Sequence, residues 1–145
     1  MKPVEFMIRR ATAADADAIF TLLCQFATSF RPERQSFDLC LRELLAEESA
    51  WLAVAESGAA VIGYCLGFDH VAFYANGRVG WLEEITVEPE LRRKGVGRAL
   101  MNAFEQWAGA RGAILVGLAT RRAAPFYTAL GYEESAMYYR KVILR

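Results

Sequence analysis

The sequence predicts a single mixed α/β domain, and three observations support this prediction. The chain has 145 residues, which is the size of one domain. Hydrophobic residues make up 54% of it and charged residues 23%, a composition typical of a packed core and not of a disordered chain. Strand patterns adjoin one another early in the chain and alternate with helical patterns later. We therefore predict one domain over residues 1–145, with the order β-α-α-β-β-β-α-β-α-β.

Three strands and two helices are predicted in the first half of the chain. Thr12 begins the first helix, because Asp15 follows it at the spacing of a capping box. Apolar residues then repeat every three or four positions from Ile19 to Phe30, and Pro32 ends the helix. The other elements are a strand at 5–10, a helix at 37–48, and a hairpin whose strands cover 51–55 and 61–68.

The second half is predicted to contain three strands and two helices. An Asn76-Gly77 turn comes before a strand over 79–87, which ends before Pro89. The next helix stops before Gly112 and has an apolar face, which we interpret as core. Its residues are Leu100, Met101, Phe104, Trp107 and Ala108. A buried strand at 114–118, a helix at 124–130 that Gly131 terminates, and a final strand at 138–144 complete the fold.

The net charge of zero conceals a strong asymmetry along the chain. Residues 1–91 contain 7 basic and 14 acidic residues, a net of −7, and residues 92–145 contain 10 basic and 3 acidic residues, a net of +7. The zero total argues against a general nucleic-acid binder. The split indicates a polyanionic ligand for the second part and, as a hypothesis, a cationic partner for the first.

The cysteines and the hydropathy pattern indicate the cellular setting. The three cysteines form no CxxC pair, and the only histidine, His70, stands at no zinc-site spacing from them, so we predict no metal site. Cys24 and Cys65 lie in apolar runs and are predicted to be buried. The sequence contains no run of 18 apolar residues and no signal-peptide core. We therefore predict a cytoplasmic protein without a membrane partner.

A basic loop before the third predicted helix has the composition of a phosphate cradle. Its residues are Arg92, Arg93, Lys94, Gly95, Val96, Gly97 and Arg98. The glycines allow a tight turn and bring backbone N–H groups close to a ligand, and the helix that follows adds its positive end. The four cationic side chains add attraction for a pyrophosphate. The loop lacks the patterns of a P-loop and of a dinucleotide fold, and a merely solvated basic loop is the alternative interpretation.

Three motifs in order resemble the GNAT superfamily of acetyl-CoA-dependent N-acetyltransferases. Residues 92–97 match the family's [QR]-x-x-G-x-[GA] motif at every fixed position. Residues 82–89, Leu-Glu-Glu-Ile-Thr-Val-Glu-Pro, resemble its fourth strand. Residues 125–132, Pro-Phe-Tyr-Thr-Ala-Leu-Gly-Tyr, resemble its FYxxLG[FY] segment. The resemblance extends over essentially the whole chain and implies the family's acyl-CoA N-acyltransferase fold.

The resemblance also implies how acetyl-CoA would bind. Backbone groups of Ile85, Thr86 and Val87 would hold the pantetheine arm along the strand edge, like an added strand. The amides of residues 92–97, together with the Arg98 side chain, would bind the pyrophosphate. Thr120 and Phe126 complete the expected contacts. Thr120 stands where the family often has asparagine, which changes the side-chain hydrogen bond to the pantetheine, and Phe126 also has a packing role.

Acetyl transfer to an amine needs a base and an acid. An alkyl amine with a pKa near 10.4 is protonated at pH 7, and freeing it costs roughly 4–5 kcal/mol. Glu83 and Glu84 are the candidate bases, and as neighbours on a strand they are predicted to point to opposite faces. A resemblance to polyamine-type and aminoglycoside-type family members favours Glu83. The alternative is that both carboxylates are solvated or only bind substrate.

Tyr127 is the candidate acid, because the resemblance places it against the acetyl sulfur. A phenol stays protonated at pH 7 and can donate its proton to the departing thiolate. The alternative is that Tyr127 is a packing residue at the start of a helix.

The predicted function is acetyl transfer from acetyl-CoA to a primary amine of a small molecule or a peptide. Small amines, aminoglycosides, and peptide N-termini or lysines remain open as acceptors, and homodimers are common among such folds. His70 and several aromatic residues are candidates for the acceptor pocket, namely Phe26, Phe30, Phe73, Tyr74 and Trp81. A non-catalytic acyl-CoA-binding domain and a nucleic-acid-binding domain are the alternatives. Tyr127 and Glu83 oppose the first, and the acidic remainder of the chain opposes the second.

Overall fold

A single mixed sheet organises the molecule. The computed structural model describes residues 3–27 and 29–144, and within them five strands lie in the order β1-β2-β3-β4-β5. The strands are β1 (Met7–Arg10), β2 (Ala50–Ser57), β3 (Ala60–Ala72), β4 (Gly77–Val87) and β5 (Ala113–Leu118). The helices are α1 (Ala16–Phe26), α2 (Arg34–Ala46), α3 (Val96–Ala110) and α4 (Ala124–Ala129). The first four strands pair antiparallel and β5 pairs parallel to β4, so the predicted mixed α/β class is confirmed.

Side chains of the sheet alternate between two hydrophobic clusters, one on each face. In β2, Leu52 and Val54 belong to the cluster under α1 and α2, whereas Ala53 and Ala55 belong to the cluster under α3. The predicted apolar face of α3 forms the centre of the second cluster, and four of its residues have no exposed surface: Leu100, Met101, Phe104 and Ala108. Helices therefore cover both faces of the sheet, and the segments that follow β4 and β5 lie on the α3 side.

The closest packing between α3 and the sheet occurs at Gly67. A Cβ atom added there would lie 2.2 Å from Cε1 of Phe104, which is fully buried. We expect Gly67→Ala to lower the free energy of unfolding by about 1–3 kcal/mol, because the overpacked ring has no free space to enter. Urea denaturation measures this loss. Gly109→Ala is the matched control, since nothing lies within 4 Å of a Cβ there and alanine favours the helix. An equal response at the two positions would contradict the packing argument.

The N-terminal helix forms where it is predicted but is shorter. Thr12 and Asp15 form the predicted capping box, with the Asp15 carboxylate accepting from the Thr12 N–H at 2.8 Å. This box caps a 3-10 turn that leads into α1, which ends at Phe26 instead of Phe30. The buried stripe of α1 consists of Ile19 and Leu22. Cys24 lies off that stripe and is exposed, so its predicted burial is wrong, whereas the predicted burial of Cys65 is confirmed.

The last predicted strand is absent. Residues 133–144 form neither helix nor strand, and all of them are exposed. A strand needs a neighbour for its backbone hydrogen bonds, and none of the five described strands pairs with this segment. The strand predicted at 114–118 does form, as β5, but it is not buried, because it lies at the edge of the sheet. Ile114 is 61% exposed and Leu115 is 40% exposed.

Candidate active site

The pairing of β4 changes along its length and leaves one edge open. β4 pairs with β5 only as far as Leu82, which lies opposite Leu118 at the end of β5. Its pairing with β3 continues to Val87, opposite Gly63. Over residues 83–87, one edge of β4 is therefore paired with β3, and the other faces no strand within the described chain. An open strand edge offers backbone N–H and C=O groups to an extended ligand.

A β-bulge places the two glutamates at the start of this open edge. Leu66 lies opposite Glu84 and Gly67 lies opposite Leu82, so Glu83 is the extra residue of the bulge. The prediction that Glu83 and Glu84 point to opposite faces is therefore wrong, because a bulge interrupts the alternation of side chains. Leu82 and Ile85 both pack in the cluster under α3, although they are three residues apart. The two glutamates lie between them in the chain, and burial, followed by the charge of the neighbouring Glu83, raises the pKa of Glu84.

The two glutamates differ in their surroundings. Glu84 is half-buried and accepts a hydrogen bond from the Tyr64 hydroxyl at 2.8 Å. Burial raises the pKa of Glu84 above its ordinary value, and the bond from Tyr64 opposes this rise. Glu83 is exposed and accepts from Trp81 Nε1 at 3.0 Å. Glu83 is thus accessible to a ligand, whereas the carboxylate of Glu84 is held in place by a hydrogen bond from Tyr64 on β3.

Tyr64 is a candidate site residue that the sequence interpretation missed. It lies on β3, belongs to the cluster under α1 and α2, and is 2% exposed. Burial, and then the neighbouring Glu84, raise the pKa of its phenol, so that it remains a hydrogen-bond donor. A prediction that the strands at 61–68 and 79–87 pair with each other would have placed Tyr64 near the glutamates. Only the bulged register, however, brings the Tyr64 hydroxyl to Glu84.

The basic loop forms a turn at the entrance to α3. Arg93 and Gly95 both adopt left-handed backbone conformations, with φ of +64° and +88°. Gly97 has helical backbone angles, and its lack of a side chain lets α3 approach Phe126 closely. An added Cβ would lie 3.3 Å from Cζ of Phe126. The expectation of a glycine-assisted turn is thus confirmed at Gly95 and corrected at Gly97.

The same turn combines unpaired backbone N–H donors with positively charged side chains at the start of α3. The first N–H group of α3 that has a backbone acceptor is that of Ala99, which donates to the Gly95 carbonyl at 3.0 Å. The N–H groups of residues 96–98 therefore have no backbone partner among the described residues. Four exposed cations belong to the same loop, and none forms an ion pair with a described residue: Arg92, Arg93, Lys94 and Arg98. Arg92 Nε donates to the Val87 carbonyl at 3.3 Å. This arrangement suits a polyanion.

Tyr127 lies on α4, on the same side of the sheet as α3. Its ring makes edge contacts with Phe126 and Tyr132, and the residue is 7% exposed. Burial raises the pKa of Tyr127 to about 12. Its hydroxyl has no hydrogen-bond partner among residues 3–27 and 29–144, whereas the Tyr132 hydroxyl donates to Glu105 at 2.6 Å. Tyr127 is therefore a protonated donor without an acceptor.

Other predicted site residues lie elsewhere. Phe73 and Tyr74 are exposed beyond the far end of β3, next to the end of β4 that pairs with β5, and they do not line the open edge. His70 is exposed opposite Val79, on that same stretch of β4. Thr120 follows β5, and its hydroxyl oxygen accepts from the Ala123 N–H at 3.1 Å, which leaves its hydroxyl proton and one lone pair for a ligand.

In the part of the chain that the structure describes, no three His, Cys, Asp or Glu side chains are grouped so as to hold a metal ion. None of its helices has the length and apolar character needed to cross a membrane.

The mixed sheet, its open edge and the loop before α3 define a class of protein. A sequence profile of the acetyltransferase (GNAT) family matches residues 16–132, and the chain belongs to this family. It is an acyltransferase of the N-acetyltransferase type, and the family uses acetyl-CoA.

Individual proteins agree with this assignment. The chain is 30% identical over 133 residues to the uncharacterized N-acetyltransferase YhfO of Bacillus subtilis, covering 88% of this chain and 89% of that protein. It is 26% identical over 140 residues to the aminoalkylphosphonate N-acetyltransferase of Salmonella typhimurium, covering 94% and 90%. The fold matches the aminoglycoside N-acetyltransferase AAC(6')-Iy in complex with CoA with a TM-score of 0.83, at 23% identity and 97% coverage of both chains.

Proposed function

We propose that this protein transfers the acetyl group of acetyl-CoA to a primary amine, with Glu83 as general base and Tyr127 as general acid. The observation that carries the proposal is the open edge of β4. It lies between the basic loop at one end and the two glutamates at the other. A linear cofactor with a pyrophosphate and a thioester has chemistry that matches these two ends.

The residues of the open edge suit the cofactor. Ile85, Thr86 and Val87 have their paired edge on β3, and their other edge, where the Val87 carbonyl also accepts from Arg92, is open to the amide groups of a pantetheine arm. The free amides of 96–98 and the cations of the same loop suit a pyrophosphate. Phe126 packs against Gly97 and so closes the space between the loop and α4. Thr120 supplies a hydroxyl donor from the end of β5.

The reaction divides its proton transfers between the two faces of the sheet. The amine nitrogen forms a bond to the acetyl carbonyl carbon, and Glu83, which is exposed at the bulge, accepts the proton that the amine loses. The carbon–sulfur bond then breaks. Tyr127, which packs with the cluster under α3, donates its phenolic proton to the sulfur and recovers a proton from solvent. The products are an amide and the free thiol of CoA.

The acceptor is proposed to be a cation. Glu83 and Glu84 place two carboxylates side by side, and an ammonium group would relieve the repulsion between them. Trp81 and Tyr64 hold these carboxylates through hydrogen bonds of 3.0 and 2.8 Å. Small amines, aminoglycosides, aminoalkylphosphonates and lysine-containing peptides are the acceptor classes to test.

Acetyl-CoA is expected to raise the melting temperature of the protein. At one hundred times Kd a ligand stabilises the folded state by about 2.7 kcal/mol, which corresponds to a rise of roughly 5–10 °C for a domain of this size. A thermal-shift titration to millimolar concentrations measures it. The double variant Lys94→Ala, Arg98→Ala should reduce the shift, and Arg42→Ala, an exposed cation on α2, should not. Absence of any shift with the wild-type protein would refute cofactor binding.

Transfer itself is tested by detecting free thiol. The four acceptor classes are mixed in turn with the protein and acetyl-CoA, and thiol release above the rate of hydrolysis identifies the acceptor. Stabilisation by acetyl-CoA with no release for any amine would contradict the catalytic part of the proposal and favour a non-catalytic acyl-CoA-binding domain.

A further inference from the structure

We infer that Tyr64 is a positioning residue of the acceptor site: its hydroxyl fixes the carboxylate of Glu84, and Glu84 binds the ammonium form of the amine before Glu83 accepts the proton. This role rests on the proposed function and deepens it, because it gives the two glutamates different tasks. Glu84 binds and Glu83 transfers the proton. Tyr64 is 2% exposed and therefore acts through Glu84 instead of touching the amine itself.

Tyr64 places a polar group in an otherwise apolar cluster. The buried residues that share the cluster under α1 and α2 are aliphatic, among them Leu22, Val54 and Leu66. A phenylalanine would fill the same space without the cost of burying a hydroxyl. Among residues 3–27 and 29–144, the hydroxyl makes one hydrogen bond, to Oε1 of Glu84 at 2.8 Å. The polar atom of Tyr64 is therefore directed at Glu84.

Glu84 is a carboxylate without a countercharge. It is half-buried on β4, and it forms no ion pair with a described residue. Because Tyr64 is bonded to Oε1, the other oxygen, Oε2, has no hydrogen-bond partner in the described part of the chain. A cation with N–H donors is the ligand that such an oxygen lacks, and an alkyl amine is an ammonium cation at pH 7.

The two glutamates differ in the way that binding and proton transfer require. A binding group gains from being fixed in advance, since less conformational freedom is lost when the ligand arrives, and Glu84 is fixed from β3. A general base must pass its proton on to solvent, and Glu83 is exposed. The bulge makes the two residues neighbours at the start of the open edge. An ammonium group bound to Glu84 is thus brought to the base.

The hydrogen bond from Tyr64 also bears on the charge of Glu84. Burial raises the pKa of Glu84, the Tyr64 hydroxyl lowers it, and the charge of Glu83 raises it further. No ionisable group of α1 or α2 within the described residues shifts this pKa. Removing the hydroxyl should therefore raise the pKa of Glu84. As the pH is lowered, amine binding should then weaken at a higher pH in Tyr64→Phe than in the wild-type protein.

The test is amine binding to the wild-type protein and to Tyr64→Phe, measured by calorimetry with excess CoA, which has no acetyl group to transfer. Butylamine, kanamycin, aminomethylphosphonate and an N-acetylated Gly-Lys-Gly peptide are the probes, one for each acceptor class. We expect the probe that binds best to the wild-type protein to bind roughly 10-fold more weakly to the variant, at the lower end of what a hydrogen bond to a charged group contributes. In steady-state kinetics, the loss should appear in the KM of the amine and not in kcat.

Two further variants separate positioning from packing. Tyr132→Phe is the matched control, because it also removes a phenol that donates to a glutamate, Glu105 on α3, and it should leave amine binding unchanged. In the Glu84→Gln background, Tyr64→Phe should weaken binding little further, because the charge through which it acts is gone. Thermal unfolding verifies that each variant is folded.

Unchanged amine affinity in Tyr64→Phe overturns the inference, and so does an equal loss in the Glu84→Gln background, which would make Tyr64 a packing residue. A pH dependence of binding that Tyr64→Phe does not move, or a wild-type protein that binds none of the four probes, overturns it as well. The proposed function fails separately. If Tyr64→Phe weakens amine binding as expected but acetyl-CoA and the amine release no thiol, acetyl transfer is refuted and the binding role of Glu84 stands.

Discussion

Replacing Tyr127 with phenylalanine is expected to lower kcat roughly 100-fold while acetyl-CoA binding stays unchanged. A positioned general acid contributes about 10²- to 10⁴-fold. The substitution removes only the hydroxyl, which has no hydrogen-bond partner in the described structure, so the ring contacts with Phe126 and Tyr132 remain. The loss of rate therefore reports on the proton that the phenol supplies. Steady-state kinetics with the best acceptor amine, combined with the thermal shift by acetyl-CoA, separates the two effects.

The pH dependence of this variant follows from the burial of the phenol. Because burial raises the pKa of Tyr127 to about 12, the wild-type side chain carries its proton throughout pH 6–10. The ratio of the two rates should therefore be constant over that range. Tyr132→Phe is the matched control: it removes another phenolic hydroxyl of the same cluster, one that donates to Glu105, and should change kcat little. Full turnover by Tyr127→Phe at every pH would assign this tyrosine to packing only.

The second large effect is expected for Glu83→Gln, which should lower kcat/KM roughly 100-fold at pH 7. Glutamine keeps the size of the side chain and can still accept from Trp81 Nε1, but it cannot accept a proton from the amine. The deficit should shrink as the pH rises toward the pKa of an alkyl amine, near 10.4, because the free amine then forms without help. A pH–rate profile of the variant and the wild-type protein measures this convergence.

Glu84→Gln is the matched comparison. Its amide oxygen can keep the bond from Tyr64, and we expect a smaller loss of rate, because Glu84 is half-buried and held from the sheet. The same variant checks the environment of Glu84. Burial raises the pKa of Glu84 in the folded state. As the pH rises from the ordinary pKa of a glutamate to this raised pKa, ionisation of Glu84 therefore lowers the free energy of unfolding. Relative to Glu84→Gln, the wild-type melting temperature should fall over that interval. A larger kinetic loss for Glu84→Gln than for Glu83→Gln would assign the base to Glu84.

Local patterns were sufficient for most of the fold. The capping box at Thr12, the apolar stripe from Leu100 to Ala108 and the glycine at 95 each depend on contacts within a few residues, and each is confirmed. The turn and helix start of the basic loop are likewise encoded in seven consecutive residues, and both form, while phosphate binding by this loop stays a prediction. The family motifs were recognisable for the same reason, since each occupies one strand, loop or helix end.

The errors arise where a distant part of the chain determines the outcome. Phe30 fits the helical periodicity of α1, yet the helix ends at Phe26, since periodicity alone does not supply a surface to pack against. Cys24 lies in an apolar run but on the exposed side of that helix. Residues 138–144 have the composition of a strand and no neighbour to pair with in the described chain.

The sequence by itself determined the fold class, the order of all but the last element, and the chemical nature of the two ends of the candidate site, basic at 92–98 and acidic at 83–84. Only the tertiary structure decided how those ends are joined. The register of β3 against β4 contains a bulge at Glu83, which brings both carboxylates together and sets Tyr64 against one of them. The end of pairing between β4 and β5 at Leu82 opens the edge between them. Both depend on how one strand is aligned with another: β3 and β4 are consecutive in the chain, whereas α3 separates β4 from β5. The alternation of one strand by itself reveals neither a bulge against its neighbour nor the residue at which pairing ends.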